Sequence, residues 1–421
     1  MKKSLYAGVA CVALGAGAAQ AEDVTVFGPW LGPDQEMVET VLADFAEKSG
    51  HNVSYVGSDS FEQQIMVDAE AGSAPNVSVF PQPGLASDMA SRGFLTPLKD
   101  GTGDWIKENY AAGQSWVDLG SYTGPDGEDD LYGFFYKVDV KSLVWYVPEN
   151  FEDAGYEVPE TLEDLKALTE QMVEDGETPW CIGLGSGGAT GWPATDWVED
   201  MMLRTQSPED YDAWVSNELP FTDPKVTGAI DEFGWFIEDA RVAGGRGAVA
   251  STDFRDSPKG LFASPPQCYM HHQASFIPAF FPEGTEVGLD ADFFYFPAYA
   301  EKDLGKPVLG AGTLWAITNE NQAAHDLIAY LQTPDAHEIW MGLKGFLTPH
   351  TGVDLDKFSD PTLRAMNEIL LDATTFRFDG SDLMPGGVGA GTFWTGMVDY
   401  AGGASSEEVG KEIQDSWDAL K

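Results

Sequence analysis

The chain has 421 residues, of which 69 are Asp or Glu and 23 are Lys or Arg, so its formal net charge at pH 7 is −46. A protein of that charge repels polyanions, which excludes most nucleic-acid-binding functions. Apolar residues make up 43% of the chain and charged residues 22%, so the composition can build large cores and excludes a disordered chain, and the length suggests two or three domains. We therefore expect neutral or cationic partners.

The first 21 residues have the layout of a cleavable secretory signal peptide. Lys2-Lys3 forms a short basic segment, Leu5–Ala18 is apolar, and Ala19-Gln20-Ala21 fits the A-x-A site of signal peptidase. The apolar stretch is too short for a transmembrane anchor. We expect a soluble, secreted periplasmic protein whose mature chain begins at Glu22.

Export also bears on the cysteines. The chain has three, and Cys11 lies within the predicted signal peptide, which leaves Cys181 and Cys268 as an even number in an oxidising compartment. We expect these two to form a disulfide, and two buried unpaired thiols are the alternative.

The first hundred residues of the mature chain alternate short β-rich segments with helical patterns. In order, the pattern predicts strand Val24–Phe27, helix Asp34–Lys48, strand Val53–Val56, helix Phe61–Ala71 and strand Val77–Phe80. This βαβαβ order builds a parallel sheet, and ligands bind at the carboxyl ends of such strands. The loops at those ends are Gly28–Pro33, Gly57–Ser60 and Pro81–Gly84.

An extended aromatic segment, Leu131–Val147, is typical of a strand that crosses between two lobes. A second α/β unit follows, with helices predicted at Thr161–Glu174, Trp197–Arg204 and Lys225–Ala240 and strands at Trp180–Leu184, Cys268–Phe276 and Phe293–Phe296. Pro297–Pro307 is predicted to cross back, before strand Thr313–Ile317, helix Gln322–Gln332 and a helical tail that ends at Glu407–Leu420.

We therefore predict an α/β protein whose two lobes form a hinged clamp with a ligand cleft between them. The predicted organisation is a signal peptide over residues 1–21, a first lobe of residues 22–137 and 306–353, and a second lobe of residues 138–305 and 354–421.

A sugar-binding site needs aromatic platforms for C–H faces and planar polar groups for hydroxyls. Among 13 tryptophans, Trp30, Trp192 and Trp394 lie in predicted loops at strand ends, although each could instead belong to a core. The polar candidates near these loops are Ser58, Asp59, Gln82, Lys137, Asp196 and His271-His272-Gln273. Because adjacent histidines on a strand point to opposite faces, we expect one histidine to line the cleft and no metal site.

Several segments, taken in order, resemble the periplasmic solute-binding proteins of carbohydrate ABC importers, the group that includes maltose-binding protein. They are Tyr132-Gly-Phe-Phe-Tyr, Leu143-Val-Trp-Tyr, the helix Phe151–Gly155, Gly191-Trp-Pro-Ala-Thr-Asp-Trp, Cys268-Tyr-Met-His-His-Gln-Ala-Ser-Phe, Gly310-Ala-Gly-Thr and Phe393-Trp394. The resemblance covers essentially the whole mature chain. Within the family, the pair Cys181 and Cys268 favours the α-glucoside-binding branch.

The resemblance implies a periplasmic-binding-protein-like fold, that is, a clamp of two α/β lobes with three crossing segments. It also implies that the clamp closes on a sugar and delivers it to a membrane permease with a cytoplasmic ATPase. By position, it implies a cleft lined by Trp30, Ser58, Asp59, Gln82, Lys137, Trp192, His272, Gln273, Gly312 and Trp394. Two features depart from the maltose-binding pattern, namely Phe27-Gly28-Pro29 at the end of the first strand and Lys137 in place of an acidic residue.

The sequence thus predicts a monomeric, non-enzymatic binder of a small neutral carbohydrate, such as trehalose, maltose or sucrose, without a cofactor. A glucosylated compatible solute such as glucosylglycerol is an alternative ligand. A periplasmic glycoside hydrolase is the alternative from another class, because it needs only two carboxyls about 5 to 9 Å apart, and the 69 acidic residues leave that possibility open.

Overall fold

The computed structural model describes residues 21–111, 113–343, 345–358, 361–372 and 374–420. Nearly all of the predicted signal peptide, with Cys11, lies outside these residues. Within them, no helix combines the length and the apolar character that crossing a membrane requires.

The first part of the chain forms the predicted βαβαβ unit and then a further set of short elements. These elements are β1 (Asp23–Gly28), α1 (Pro33–Ser49), β2 (Asn52–Gly57), α2 (Phe61–Glu70), β3 (Val77–Phe80), α3 (Pro83–Ser91), α4 (Thr102–Asn109), α5 (Gly113–Gly120), β4 (Ser121–Thr123), β5 (Asp129–Leu131) and β6 (Gly133–Val140). Helix α1 begins at a proline, which suits a first helical turn, and ends at Gly50 in the left-handed region.

The middle of the chain is mostly helical and contributes only short strands. Its elements are β7 (Leu143–Tyr146), α6 (Pro148–Ala154), α7 (Leu162–Asp175), α8 (Trp192–Thr205), α9 (Pro208–Val215), α10 (Pro224–Phe236), α11 (Arg246–Val249), β8 (Met270–His272) and β9 (Asp292–Tyr295). The strand predicted at Trp180–Leu184 makes only isolated bridges, through Trp180 to Val242 and Met270.

The remainder of the chain contains a long strand, a short strand and several helices. Its elements are β10 (Pro307–Ile317), α12 (Gln322–Leu331), α13 (Pro334–Met341), α14 (Pro361–Asp372), β11 (Thr375–Phe378), α15 (Gly380–Leu383), α16 (Trp394–Ala401) and α17 (Ser406–Asp418). Strand β10 starts six residues before the predicted Thr313, at the last residue of the predicted crossing Pro297–Pro307.

The largest sheet has six strands in the order β11-β10-β3-β1-β2, with β6 also paired to β10. Strands β1, β2 and β3 are parallel, as the sequence predicts, whereas β10 runs antiparallel to β3 and to β6. A second sheet has the order β8-β7-β9 and is antiparallel. Because β6 belongs to the large sheet and β7 to the small one, the segment at Lys141-Ser142 crosses between the lobes.

Three clusters of buried apolar side chains lie in the described residues. The first surrounds the large sheet and includes Val26, Phe80 and Trp315. The second lies among helices of the second lobe, and the third contains Cys181 and Cys268 beside Trp145. These cysteines form the expected disulfide, with Cα atoms 5.4 Å apart.

Candidate functional site

A cleft opens between the lobes and encloses about 940 Å³, open solvent at its mouth included. The loops after β1, β2 and β3 contribute to it, as do β6, β10, the start of α8 and the segment around α15. Eight of the eleven predicted site residues line it, namely Trp30, Ser58, Asp59, Gln82, Lys137, Trp192, Gly312 and Trp394.

Trp30 forms part of the first-lobe wall and is fixed by its neighbours. Its backbone N–H donates to the Tyr55 hydroxyl at 2.9 Å. Its ring lies edge-on to Trp340, with centroids 5.1 Å apart, and 6.1 Å from the ring of Trp315. The indole is 8% exposed, so it presents only a small part of its surface to the cleft.

Trp192 lies on the second-lobe side and is less buried. It opens helix α8, although the sequence suggested a loop, because a proline at the second helical position is compatible with a first turn. The preceding Gly191 has a φ of +118°, and a Cβ there would lie 2.2 Å from the Trp394 carbonyl oxygen. The Trp192 ring is held by Phe254, with centroids 5.0 Å apart, and by Phe276.

Three buried polar atoms in the lining have no hydrogen-bond partner among the described residues. They are Gln82 Oε1, Thr313 Oγ1 and Trp394 Nε1. Unpaired buried polar atoms cost free energy and are uncommon in native structures. An amide oxygen, a hydroxyl and an indole N–H together can accept from and donate to the hydroxyls of a ligand.

The lobes also meet at the rim of the cleft. Gln63 Nε2 donates to the Gly188 carbonyl oxygen at 3.4 Å. Gly187 has a φ of +57°, and a Cβ on it would lie 2.2 Å from Asp59 Oδ2. A residue with a side chain at position 187 would therefore separate the loop after β2 from the second lobe.

Charged residues on β6 line the floor of the cleft. Lys137 and Asp139 lie two residues apart on one face of the strand, and Lys141 follows at the same spacing. Lys137 Nζ donates to both carboxylate oxygens of Asp139, at 2.7 and 2.9 Å. Its positive charge is therefore already paired.

Lys141 lies at the centre of a buried cluster that joins three parts of the chain. Its Nζ contacts Asp196 Oδ1 at 2.7 Å, on α8, and also Asp379 Oδ2, just before α15. Burial opposes its charge, but the surrounding carboxyls raise the Lys141 pKa well above its usual value. Its Nζ also lies 5.4 Å from the centroid of the Trp192 ring.

The pKa values of the carboxyls around Lys141 are shifted in opposite directions. Burial would raise the pKa of Asp379, but the Lys141 ammonium holds it below its usual value. Burial, reinforced by repulsion from Asp379, raises the pKa values of Asp196, Glu199 and Asp382 well above their usual range. The Lys141 ammonium thus favours the ionised form of Asp379, whereas burial favours the neutral forms of Asp196, Glu199 and Asp382.

Oxygen atoms of Asp196, Glu199 and Asp379 lie within 4.8 Å of one another, a grouping that could in principle hold a cation. The Lys141 ammonium already contacts two of the three. The positive charge at this position therefore comes from the lysine, and the residues do not fit a metal ion well.

The other three predicted site residues are not among those that line the cleft. Asp196 lies behind the wall, bonded to Lys141. His272 is buried with its Nε2 2.7 Å from Asp200 Oδ2, in a network with Arg204. Gln273 is 3% exposed, and its side-chain oxygen accepts from the backbone of the next residue.

His271 does not line the cleft either, so the expectation that one of the two histidines would do so is corrected. Its Nδ1 lies 2.8 Å from the Cys181 carbonyl oxygen, and burial lowers its pKa to about 4. The two rings do point to opposite sides of β8, but each side of that strand is covered by protein.

Sequence reasoning missed many lining residues. They include Asp34, Glu62, Asp139, Lys141, Phe254, Arg255, Phe276, Thr313, Asp379 and Asp382. The sequence did contain a signal for Asp34, because the predicted helix Asp34–Lys48 begins directly after the strand-end loop Gly28–Pro33. For Asp139 and Lys141 the two-residue spacing from Lys137 was the signal. Asp379 and Asp382 gave none, since they lie in a tail read only as helical.

The fold and the cleft define a two-lobed protein of the kind that binds a solute between its lobes. Residues 29–338 match the family described as bacterial extracellular solute-binding protein. The chain belongs to this family, which confirms the class of protein inferred from the sequence.

Two relatives cover nearly the whole chain. It is 64% identical to the alpha-glucosides-binding periplasmic protein AglE of Rhizobium meliloti (strain 1021), over 95% of this chain and 88% of that protein. It is 43% identical to the osmoprotective compounds-binding protein GgtB of Synechocystis sp., over 94% of this chain and 92% of that protein.

Solved structures confirm the fold class. The structure of the bacterial solute receptor AcbH has a TM-score of 0.80 at 18% identity and covers 95% of this chain and 100% of its own. Maltose-bound T. maritima MalE3 has a TM-score of 0.73 at 14% identity, with coverage of 95% and 100%. At these identities the likeness extends to the fold alone.

Proposed function

We propose that the protein is the substrate-binding component of an ABC importer and captures a small α-glucoside, such as trehalose, maltose or sucrose. The observation that carries the proposal is the 64% identity to an alpha-glucosides-binding periplasmic protein over 95% of the chain. The cleft supports it physically, because aromatic rings and unpaired polar atoms line the same space.

The mechanism is capture without chemical change. A sugar placed between the lobes is contacted by Trp30 from the first lobe and by Trp192 and Trp394 from the second. Only the closed arrangement supplies both sets of contacts, so the ligand shifts the equilibrium between open and closed forms toward closure. The closed form is then the one delivered to the membrane permease, whose transport is driven by a cytoplasmic ATPase.

The same proposal covers location and assembly. A cleavable signal peptide over residues 1–21 would direct the chain to the periplasm, where it acts as a monomer and binds neither nucleic acid nor cofactor. The lobes would comprise residues 22–137 with 306–353, and residues 138–305 with 354–421. The predicted cleft residues Asp196, His272 and Gln273 would support the site from behind its wall.

A thermal-shift screen of the purified mature protein tests the function. The panel is trehalose, maltose, sucrose and glucosylglycerol, and a tight ligand raises the melting temperature by linkage. We expect an α-glucoside to give the largest shift. The relationship to the osmoprotective compounds-binding protein GgtB favours glucosylglycerol as the second candidate. Release of reducing sugar over many turnovers would instead indicate a glycoside hydrolase.

We expect Trp192→Ala to weaken sugar binding at least tenfold, about 1.4 kcal/mol, because it removes an aromatic platform that the cleft leaves partly exposed. Isothermal titration calorimetry with the best sugar of the panel measures the effect. Trp235→Ala is the matched control, since Trp235 is also partly buried but does not line the cleft. Equal affinities for wild type and Trp192→Ala would show that this ring does not contact the ligand.

Trp394→Ala is a less suitable test of the same idea. The Trp394 side chain is 2% exposed, so its removal leaves a cavity and is expected to cost about 3 to 5 kcal/mol of stability. Loss of binding in that variant would mix loss of contact with loss of fold.

A further inference from the structure

Two carboxyl groups line the cleft in the first lobe. Asp34 lies in the first turn of α1 and Glu62 in the first turn of α2, so both stand at the carboxyl end of the large sheet. Their exposed fractions are 8% and 7%. An ionised carboxylate at that depth needs a cation or several hydrogen-bond donors to offset its lost hydration.

The cations of the lining are engaged elsewhere. Lys137 is held by Asp139, and Lys141 by Asp196 and Asp379. Arg255 Nη1 lies 3.2 Å from Asp253 Oδ2. Among the described residues of the lining, none of these cations forms an ion pair with Asp34 or Glu62.

The surroundings of Asp34 disfavour its charge. Lys137 and Asp139 from β6 and Arg255 from the second lobe face Asp34. The Tyr55 hydroxyl on β2 is also close enough that the charge of Asp34 helps to raise the Tyr55 pKa. Burial is the largest influence and raises the pKa of Asp34 to about 6, against the opposing attraction of Lys137.

Glu62 is in a similar position with fewer cations near it. It faces Asp59 from the preceding loop, Gln82 from the loop after β3 and Asp382 from α15. Burial raises the pKa of Glu62 to about 7, while hydrogen bonds from its own backbone N–H and from Gln82 oppose that rise.

We propose that Asp34 and Glu62 bind the sugar as neutral carboxylic acids, each donating an O–H hydrogen bond to a ligand oxygen, so that capture takes up protons near neutral pH. The inference rests on the proposed function. Ring and glycosidic oxygens of a sugar only accept hydrogen bonds, and an ionised carboxylate cannot donate to them. Each carboxylate that is ionised in the free protein takes one proton from the buffer as the ligand binds.

The first expected result is a loss of affinity as the pH rises. If the complex requires a proton on Glu62, whose pKa in the free protein is about 7, the affinity falls about tenfold between pH 6 and pH 8 from this group alone. Titration calorimetry in phosphate and in Tris at pH 7.5, with the best-binding sugar among trehalose, maltose and sucrose, measures the proton uptake directly. An affinity that rises with pH would contradict the proposal.

Amide substitutions distinguish a carboxyl that donates a hydrogen bond to the sugar from a carboxylate that accepts one. The double variant Asp34→Asn with Glu62→Gln keeps a donor at both positions at every pH, so we expect its affinity at pH 8 to be close to that of wild type at pH 6 and its proton uptake to be lost. Each single amide variant should lose only the pH dependence of the carboxyl that it replaces. Glu36→Gln is the matched control, because Glu36 lies in the same first turn as Asp34 but is exposed. A variant that binds more weakly at all pH values would show that the carboxylate accepts bonds from the sugar.

A ligand-free measurement tests the protonation state separately. A carboxyl whose pKa is raised by folding stabilises fully below its unfolded pKa, and this contribution is lost as the pH rises through the folded pKa. Wild type should therefore lose stability from this group as the pH rises from 5 to 8, whereas Glu62→Gln should not. The melting temperature of the variant minus that of wild type should increase over this range. A constant difference would mean that Glu62 is already ionised and would overturn the proposal.

A failure of this inference can be distinguished from a failure of the proposed function. Sugar binding without pH dependence contradicts this inference and leaves the proposed function intact. Absence of binding to every sugar of the panel, at every pH, contradicts the proposed function and with it the donation to a sugar.

Discussion

Lys141→Met is expected to lower the free energy of unfolding by about 3 to 5 kcal/mol at pH 7, since removing one partner leaves a buried charge uncompensated. The partner is Asp379, which is 1% exposed and whose pKa the lysine holds below its usual value. Methionine has a similar length, so the change removes charge more than volume. Urea-induced unfolding of wild type and variant measures the difference.

The effect should depend on pH in a defined direction. The lowered pKa of Asp379 contributes stability above its unfolded pKa of about 3.9, and the raised pKa of Lys141 contributes stability below its unfolded pKa of about 10.4. The pair therefore contributes fully between about pH 4 and pH 10. The cost of Lys141→Met should shrink as the pH falls below about 4 and through the lowered pKa of Asp379 in the folded protein, because protonation of Asp379 removes the ion pair.

A surface ion pair provides the control for this experiment. Lys411 contacts Asp415, and both side chains are about two-thirds exposed, at 69% and 65%. Lys411→Met should cost about 0.5 kcal/mol or less. The double variant Lys141→Met with Asp379→Asn should recover part of the lost stability. A cost for Lys141→Met as small as that of Lys411→Met would show that the buried cluster contributes no more than a surface pair.

Replacing both Cys181 and Cys268 with serine is the second change with a large expected effect. The disulfide joins residues 87 positions apart. A loop of that length restricts the unfolded chain by about 4 to 5 kcal/mol on the loop-entropy model, and native disulfides typically contribute about 2 to 5 kcal/mol. We expect a loss of stability in that range in urea unfolding under oxidising conditions.

Reduction supplies the matched control for the disulfide. In excess reductant the wild-type chain loses the same constraint, so it should become nearly as unstable as the double-serine protein. Sugar affinity should change little, because neither cysteine lines the cleft. Equal stability of the oxidised wild type and the double-serine protein would contradict the prediction.

Several parts of the fold were predictable because their signals are local. The alternation of β-rich and helical segments predicts β1 to β3 and the helices between them, and these boundaries agree with the structure within one or two residues. Trp30 and Gln82 were identified as candidates because parallel strands end at one edge of a sheet. Lys137 was found through its place in the crossing segment.

Other features depended on contacts between distant residues. Lys141 contacts Asp379, which is 238 positions away, and no periodicity relates the two. His272 was expected in the cleft, but the pattern of a strand shows only that neighbours face opposite sides and not what covers each side. Trp180–Leu184 has the composition of a strand, yet it makes bridges instead of a continuous ladder.

The sequence by itself determined the class of protein, the parallel βαβαβ unit, the cysteine pair and most of the aromatic and polar candidates. These follow from residue order, helix and strand periodicity and the count of cysteines, all of which are properties of the chain before it folds. Tertiary structure alone decided which side chains face the cleft, which charges are paired and which carboxyls have raised pKa values. Burial and charge pairing are set by residues far apart in sequence, and burial is what shifts a carboxyl pKa.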